Sequence, residues 1–164
     1  MTTDETLVTA QMIEAKGVWG PETVSFHVSA SDIRKWAIAA YWPETPPRLF
    51  WDEEFAKETR WGGIVAPEDF NPFAWPIRAA PPPAAGAQPG QTMKKGDNIL
   101  NGGQVDTFFA RIRVGDTITS QSRLSHWEER TGRLGLTLYA YYESEWRNQQ
   151  GELVKRRMAT LIRY

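Results

Sequence analysis

Cysteine is absent from this chain of 164 residues, and histidine occurs only as His27 and His126. The first absence excludes disulfides, thiolate nucleophiles and cysteine-held metals. The second leaves too few imidazoles for a His-rich metal site, so the expectation is no metal and no cofactor. An excess of charge is missing too: 19 basic against 20 acidic residues give a net charge of -1, without the basic footprint of a nucleic-acid binder. No apolar run approaches the length needed to span a bilayer. The opening MTTDETLVTAQMIEAKG has acidic residues and no apolar stretch of the kind a leader peptide carries, so a cytoplasmic protein is expected.

What is present fits one domain, 1–164, large enough to bury a single core. Hydrophobic residues make up 41% and charged residues 24%, a balance that argues against wholesale disorder. Eight tryptophans supply large rings for a groove, an interface or the core.

Periodicity sets out the elements. Residues 1–6 are expected to fray, and Leu7 to Lys16 forms a short helix with Val8, Met12 and Ile13 on one side. Val24, Phe26 and Val28 alternate with Ser25 and His27 as in a half-buried strand, which turns His27 away from the apolar row. Ser29 or Ser31 caps the next helix, with Asp32 in its first turn and Ile33, Trp36, Ala37 and Ala40 as its apolar stripe. That helix stops near Trp42, because Pro43 disfavours the helical conformation in its predecessor. Asp52 is the N-cap of a short helix, Glu53 to Thr59, ended by Gly62-Gly63. Pro67 suits the first turn of a further helix, but Pro72 and Pro76 would interrupt it. The Pro/Gly-rich run 79–97 reads as a loop. From Asn98 the pattern changes to strands: Gly103 to Val114, Thr117 to Glu129, Leu134 to Arg147 and Leu153 to Tyr164, joined by Gly-containing turns as an antiparallel meander. Leu136, Leu138, Ala140, Tyr142 and Ser144 share one face of the third. The class is α+β.

Two stretches carry a resemblance. WDEEFAKETRWGGIVAP, from Trp51 to Pro67, resembles the overhang and helix entry of MaoC-like (R)-specific enoyl-CoA hydratases and dehydratases. LNGGQVDTFFARIRVGDTITSQSRL, from Leu100 to Leu124, resembles the family's Gly-Gly-Gln start, Arg-bearing strand and Gly-Asp-Thr turn. The closing TGRLGLTLYAYYESEWRNQQGELVKRRMATLIRY is similar to the fatty-acid-synthase-like N-terminal dehydratase group. The resemblance implies a hot-dog fold, an antiparallel sheet wrapped around a central helix that is short or broken here. A cone-shaped α+β barrel of the nuclear-transport-factor type is the alternative.

In that family an Asp-x-Asn-Pro-x-His signature supplies an Asp and a His that act on one water. Anchored on Trp51-Asp52-Glu53, the His position falls on Phe50 and the Asp position on Thr45, so the resemblance implies a chain lacking the dyad. Glu44 is the candidate substitute acid, whereas Asp52 and Glu53 are read as a helix cap and a solvated charge. Phe50, Trp51 and Trp61 are candidates for an acyl groove, with core or interface rings as the alternative. Gly63, Pro67, Glu68 and Arg111 complete the candidate substrate-binding set. Pro67 has no N–H, so the Glu68 amide is the donor for an enolate oxygen. Arg111 and Arg113 are placed near the pantetheine or phosphate groups of coenzyme A, or on a solvated strand face.

The function so implied is the dyad-lacking subunit of a heteromeric enoyl-CoA hydratase or dehydratase. It would hold a bulky acyl-CoA or acyl-carrier thioester beside a dyad-bearing MaoC-like partner, with a homodimer as fallback. Alternatives are a self-sufficient thioester lyase or hydrolase using Glu44, and a non-enzymatic acyl-CoA-binding module.

Overall fold

The computed structural model describes residues 6–74, 96–133 and 135–164. Residues 1–5, most of the Pro/Gly-rich run and the part of the expected central helix that includes Pro76 lie outside that description. Thr6, expected to fray, is tied down: its Oγ1 donates to Glu129 Oε2 at 2.9 Å, and the next amide, of Leu7, donates to Glu129 Oε1 at 2.6 Å.

Helix α1 (Ala10–Ala15) is shorter than expected, starting where Thr9 accepts from the Met12 amide. A two-residue strand, β1 (Thr23–Val24), follows. The alternation here is misleading: only Val28 of the apolar row is buried, while Val24 and Phe26 are exposed, because the chain pairs with the sheet over two residues and then leaves it. His27 is exposed, as expected.

Helix α2 (Ala30–Tyr41) begins with a capping box, in which the Ser29 side chain accepts from the Asp32 amide and Asp32 accepts from the Ser29 amide. Ile33 and Ala37, one turn apart, are its buried residues. A cis Trp42–Pro43 bond follows, then a 3₁₀ turn (Arg48–Phe50) that the sequence pattern did not signal. Helix α3 (Glu53–Glu58) is capped by Asp52, whose Oδ1 accepts from the Phe55 amide at 3.1 Å.

Four long strands complete the molecule: β2 (Ile99–Phe108), β3 (Thr119–Gly132), β4 (Gly135–Arg147) and β5 (Leu153–Arg163). All ladders are antiparallel, and the sheet order is β1-β3-β4-β5-β2. The meander therefore holds for β3-β4-β5 alone. The strand expected at Gly103 to Val114 starts earlier and ends earlier, and it pairs with β5 rather than β3. Its ladder is interrupted between Asn101 and Gln104. At Gly102 a Cβ would stand 2.9 Å from Thr160 Cγ2, and Gly103 has φ +98, so the glycine pair is what lets β2 lie against β5.

Leu138 and Ala140 are buried on one face of β4, as their alternation predicts, and Leu124 of β3 lies buried on the same face. The main core gathers where residues 109–118 cross from β2 to β3. The Ala66 amide donates to Ile112 O at 2.8 Å, and the Val28 amide to Asp116 O at 2.9 Å. Ile33 and Ala37 of α2 join Phe50, Val65, Phe70, Ile118 and Val154 there. Burying a side chain the size of Phe70 or Ile33 contributes about 1.5–3 kcal/mol. Residues 67–74 are not helical. They form turns, with the Phe70 amide donating to Pro67 O and the Ala74 amide to Asn71 O, both at 3.1 Å. Pro72 removes a donor that a helix would need, and the helix expected to begin at Pro67 does not form over this stretch.

Candidate functional site

The crossover that closes the core also builds the most chemically distinctive place in the molecule. Val65 pairs with Arg113 in an isolated antiparallel bridge. This fixes the turn at Ala66, Pro67 and Glu68 against the crossover that carries Arg111. The Arg111 guanidinium lies 5.6 Å from the Trp61 ring centroid and its Nη1 is 3.0 Å from Glu68 Oε1. That ion pair lacks hydrogen-bond alignment, so the buried Nη1 makes no hydrogen bond. The Glu68 amide likewise donates to no acceptor among the described residues. Arg113 is used structurally: its side chain donates to Trp61 O.

Of the residues singled out by sequence, the structure thus brings Trp61, Pro67, Glu68 and Arg111 together. Gly63 is half-buried in the loop leading to them. Phe50 is a core ring, 5.9 Å from that of Tyr41. Trp51 is exposed, with its indole N–H donating to Pro46 O at 2.9 Å. Glu44 is exposed on the turn after α2, and its side chain makes no hydrogen bond or ion pair among the described residues. Asp52 caps α3. The Phe55 amide and then Arg48 hold its carboxyl below the usual range, as its reading as a cap requires.

Sequence reasoning missed Lys155. It sits in β5 opposite Trp146 and Phe108, is only 4% exposed, and holds its Nζ 3.3 Å from the Trp146 ring centroid. Its nearest carboxylate, Asp106 Oδ2, is 3.9 Å away and already receives Arg157 through two hydrogen bonds of 2.7 Å. Burial pushes the Lys155 ammonium down to about 8; repulsion from Arg157 adds to this, and Asp106 and Asp69 oppose it. In Lys155-Arg156-Arg157 the charge run suggests a solvated strand. Parity alone would not have found it: Lys155 and Arg157 share a face with Ala159 and Leu161, but the other face carries Val154, Met158 and Ile162.

Lys155, Trp146 and Phe108 meet Ala66, Glu68 and Arg111 around one cavity of about 20 Å³, room for about one oxygen-sized atom or water. A second concavity of about 730 Å³ lies on the face of the sheet that bears Leu124, Tyr142 and Leu161, with Met12 and Ala15 of α1 at its side. The two share no lining residue among those described. The histidines are elsewhere: His27 Nδ1 is 2.9 Å from Thr117 Oγ1, and the His126 ring stacks on Tyr141 at 4.2 Å. Among the described residues no three His, Cys, Asp or Glu side chains converge to hold a metal, and no helix is long and apolar enough to cross a membrane.

Residues 14–157 match a family model described as the FAS1-like, dehydratase domain region. No curated protein matches the sequence. Among solved structures, the chain is similar to the ChsH1–ChsH2 complex from Mycobacterium tuberculosis, with TM-score 0.65 and 16% identity over 94% of this chain and 92% of that one. It is similar to a MaoC-like dehydratase from Rhodospirillum rubrum, with TM-score 0.57 and 20% identity over 88% and 91% of the two chains. Truncated HadBC, a 3R-hydroxyacyl-ACP dehydratase complex from Mycobacterium tuberculosis, matches with TM-score 0.55 and 18% identity over 86% and 95%. At such identities the likeness is one of fold: the curled antiparallel sheet is a hot-dog fold, and the cone-shaped barrel is set aside.

Proposed function

Because the chain belongs to the FAS1-like dehydratase-region family, we propose that it is the dyad-lacking subunit of a heteromeric enoyl-thioester hydratase or dehydratase. Phe50 carries this reading. Its ring fills the core beside Val65 and Ala66 at the position where the resemblance calls for a catalytic imidazole, and an imidazolium so buried would be strongly disfavoured. Thr45, at the Asp position, is exposed.

Hydration of a 2-enoyl thioester needs a base to take a proton from water as the hydroxyl oxygen bonds to the β carbon. The displaced electron pair moves to the thioester oxygen, and the α carbon is then protonated. The turn at 66–68 is suited to the oxygen, since the Glu68 amide has no acceptor among the described residues and a fixed N–H aimed at developing charge lowers the barrier. The proton transfers fall to a second hot-dog subunit with an Asp and a His. Two of the similar structures are complexes of unequal subunits by their own descriptions, which supports a partner of that kind. The groove of about 730 Å³ lies within the size range of ligand pockets and offers room for a bulky acyl group.

The test is loss of enoyl-thioester absorbance with short-chain, long-chain and ring-bearing enoyl-CoA. No turnover is expected from the chain alone, and turnover from the chain with a copurifying subunit that carries the dyad. A stable homomer that turns over by itself would overturn the reading and direct attention to Glu44.

A further inference from the structure

The small cavity at the 66–68 turn has an unusual wall. Two cations reach it from different elements, Arg111 from the crossover and Lys155 from β5, and among the described residues both have hydrogen-bonding capacity unused. Arg111 Nη1 is buried and, though 3.0 Å from Glu68 Oε1, makes no hydrogen bond among the described residues. Lys155 is 4% exposed, and its ammonium has a ring face at 3.3 Å and a carboxylate at 3.9 Å, the latter beyond hydrogen-bond range. A buried donor left without an acceptor destabilises the fold, more so when charged. Nothing in the packing requires that cost, since a methionine at 155 would lie on Trp146 equally well. A cavity that admits one oxygen-sized atom between two such donors fits an oxygen that carries or gains negative charge.

We infer that Lys155, together with Arg111, receives the carbonyl oxygen of the acyl thioester at this cavity, so that side-chain cations act beside the Glu68 amide. The inference rests on the reading of the chain as an acyl-thioester binder. The α,β-double bond plays no part in it: any acyl thioester presents the oxygen, and a thioether of the same length does not. Among the described residues, the groups facing Lys155 are Asp106, Arg157, Asp69, Arg111 and Glu68. The hydrogen bonds between Arg157 and Asp106 raise the arginine and lower the carboxyl, and burial holds the Lys155 ammonium at about 8, so between pH 7 and 9.5 the ammonium gives up its proton.

The experiment compares hexanoyl-CoA with S-hexyl-CoA, which lacks the carbonyl oxygen, by calorimetric titration of the full chain with any subunit that copurifies. Wild type is expected to prefer the thioester, and Lys155→Met to lose about tenfold or more of that preference, the loss of one hydrogen bond from a charged donor. Affinity for the thioether should be unchanged. The wild-type preference should also fall between pH 7 and 9.5. Coenzyme A's own ionisations cancel in the ratio of the two ligands, so this arm needs no variant. An undiminished preference in Lys155→Met, or a preference independent of pH, overturns the inference while leaving acyl-thioester binding in place. Failure of wild type to bind either ligand overturns the acyl-thioester reading, and the inference falls with it.

Discussion

Lys155 and Arg156 are neighbours in β5 and point to opposite faces of one sheet, and their surroundings could hardly differ more. On the side of Leu124, Ala140 and Leu161, the Lys155 ammonium is buried against Trp146, and its nearest carboxylate among the described residues is 3.9 Å away. On the other side, Arg156 stands about half-exposed and reaches two carboxylates, Glu145 Oε1 at 2.7 Å and Glu143 Oε1 at 3.2 Å. Burial drives the lysine down to about 8. The hydrogen bond to Glu145 drives the arginine up. Exposed cations in networks serve the sheet, whereas a buried cation with spare donors weakens it and is more readily explained by what it binds.

The largest effect expected from breaking this contrast comes from Asp106, the carboxylate nearest Lys155. Asp106→Asn removes both charge-assisted bonds from Arg157 and leaves Lys155 without its nearest counter-charge. A loss of about 3 kcal/mol is expected in denaturant unfolding, as for a partly buried pair stripped of one member. The Arg157 hydrogen bonds hold the Asp106 carboxyl below its usual range. Its contribution is therefore full above an ordinary aspartate's pKa and disappears as pH falls through the lowered value. Wild type and variant should converge in acid.

Lys155→Met works in the opposite direction. The folded-state value of about 8 lies below the unfolded 10.5, so between them the unfolded chain binds more protons and stability rises with pH. The variant should be more stable than wild type at pH 7 by up to about 3 kcal/mol. That advantage should shrink as pH rises from about 8 to 10.5, which thermal unfolding at a series of pH values would follow. A variant less stable than wild type at pH 7 would show that Lys155 supports the fold, and the contrast between the two faces of β5 would be lost.

Local signals in the sequence were legible where they depend on neighbours along the chain. Ser29 with Asp32, Asp52 as a cap, the stop at Trp42 and the buried face of β4 all follow from hydrogen-bonding capacity and period. What could not be read was the pairing of distant segments. That β2 lies beside β5 is a tertiary fact, and a strand pattern says nothing about which edge it will join. Val24 and Phe26 alternate as a strand should, but only two residues of their segment find a ladder. Of the candidate site, Trp61, Glu68 and Arg111 are the residues that the sequence also singles out. Lys155 was hidden because three successive cations look solvated until the register with Trp146 shows which one turns inward.

The smallest effect should come from Arg156, and its smallness is the point. Arg156→Met breaks contacts to Glu143 and Glu145, yet Glu143 keeps Arg123 at 2.6 Å and Glu145 keeps Arg147 at 2.7 Å, so neither carboxylate is left alone. The arginine side chain is 45% exposed, and for such pairs screening by water and salt limits the loss to about 1 kcal/mol or less. The loss should diminish further in high salt, which the Lys155→Met effect, arising from burial, should not. Measuring both variants at low and high ionic strength separates the two origins. Equal salt sensitivity would mean that the ammonium of Lys155 is in contact with solvent, and the cavity beside it would then be a continuation of the surface.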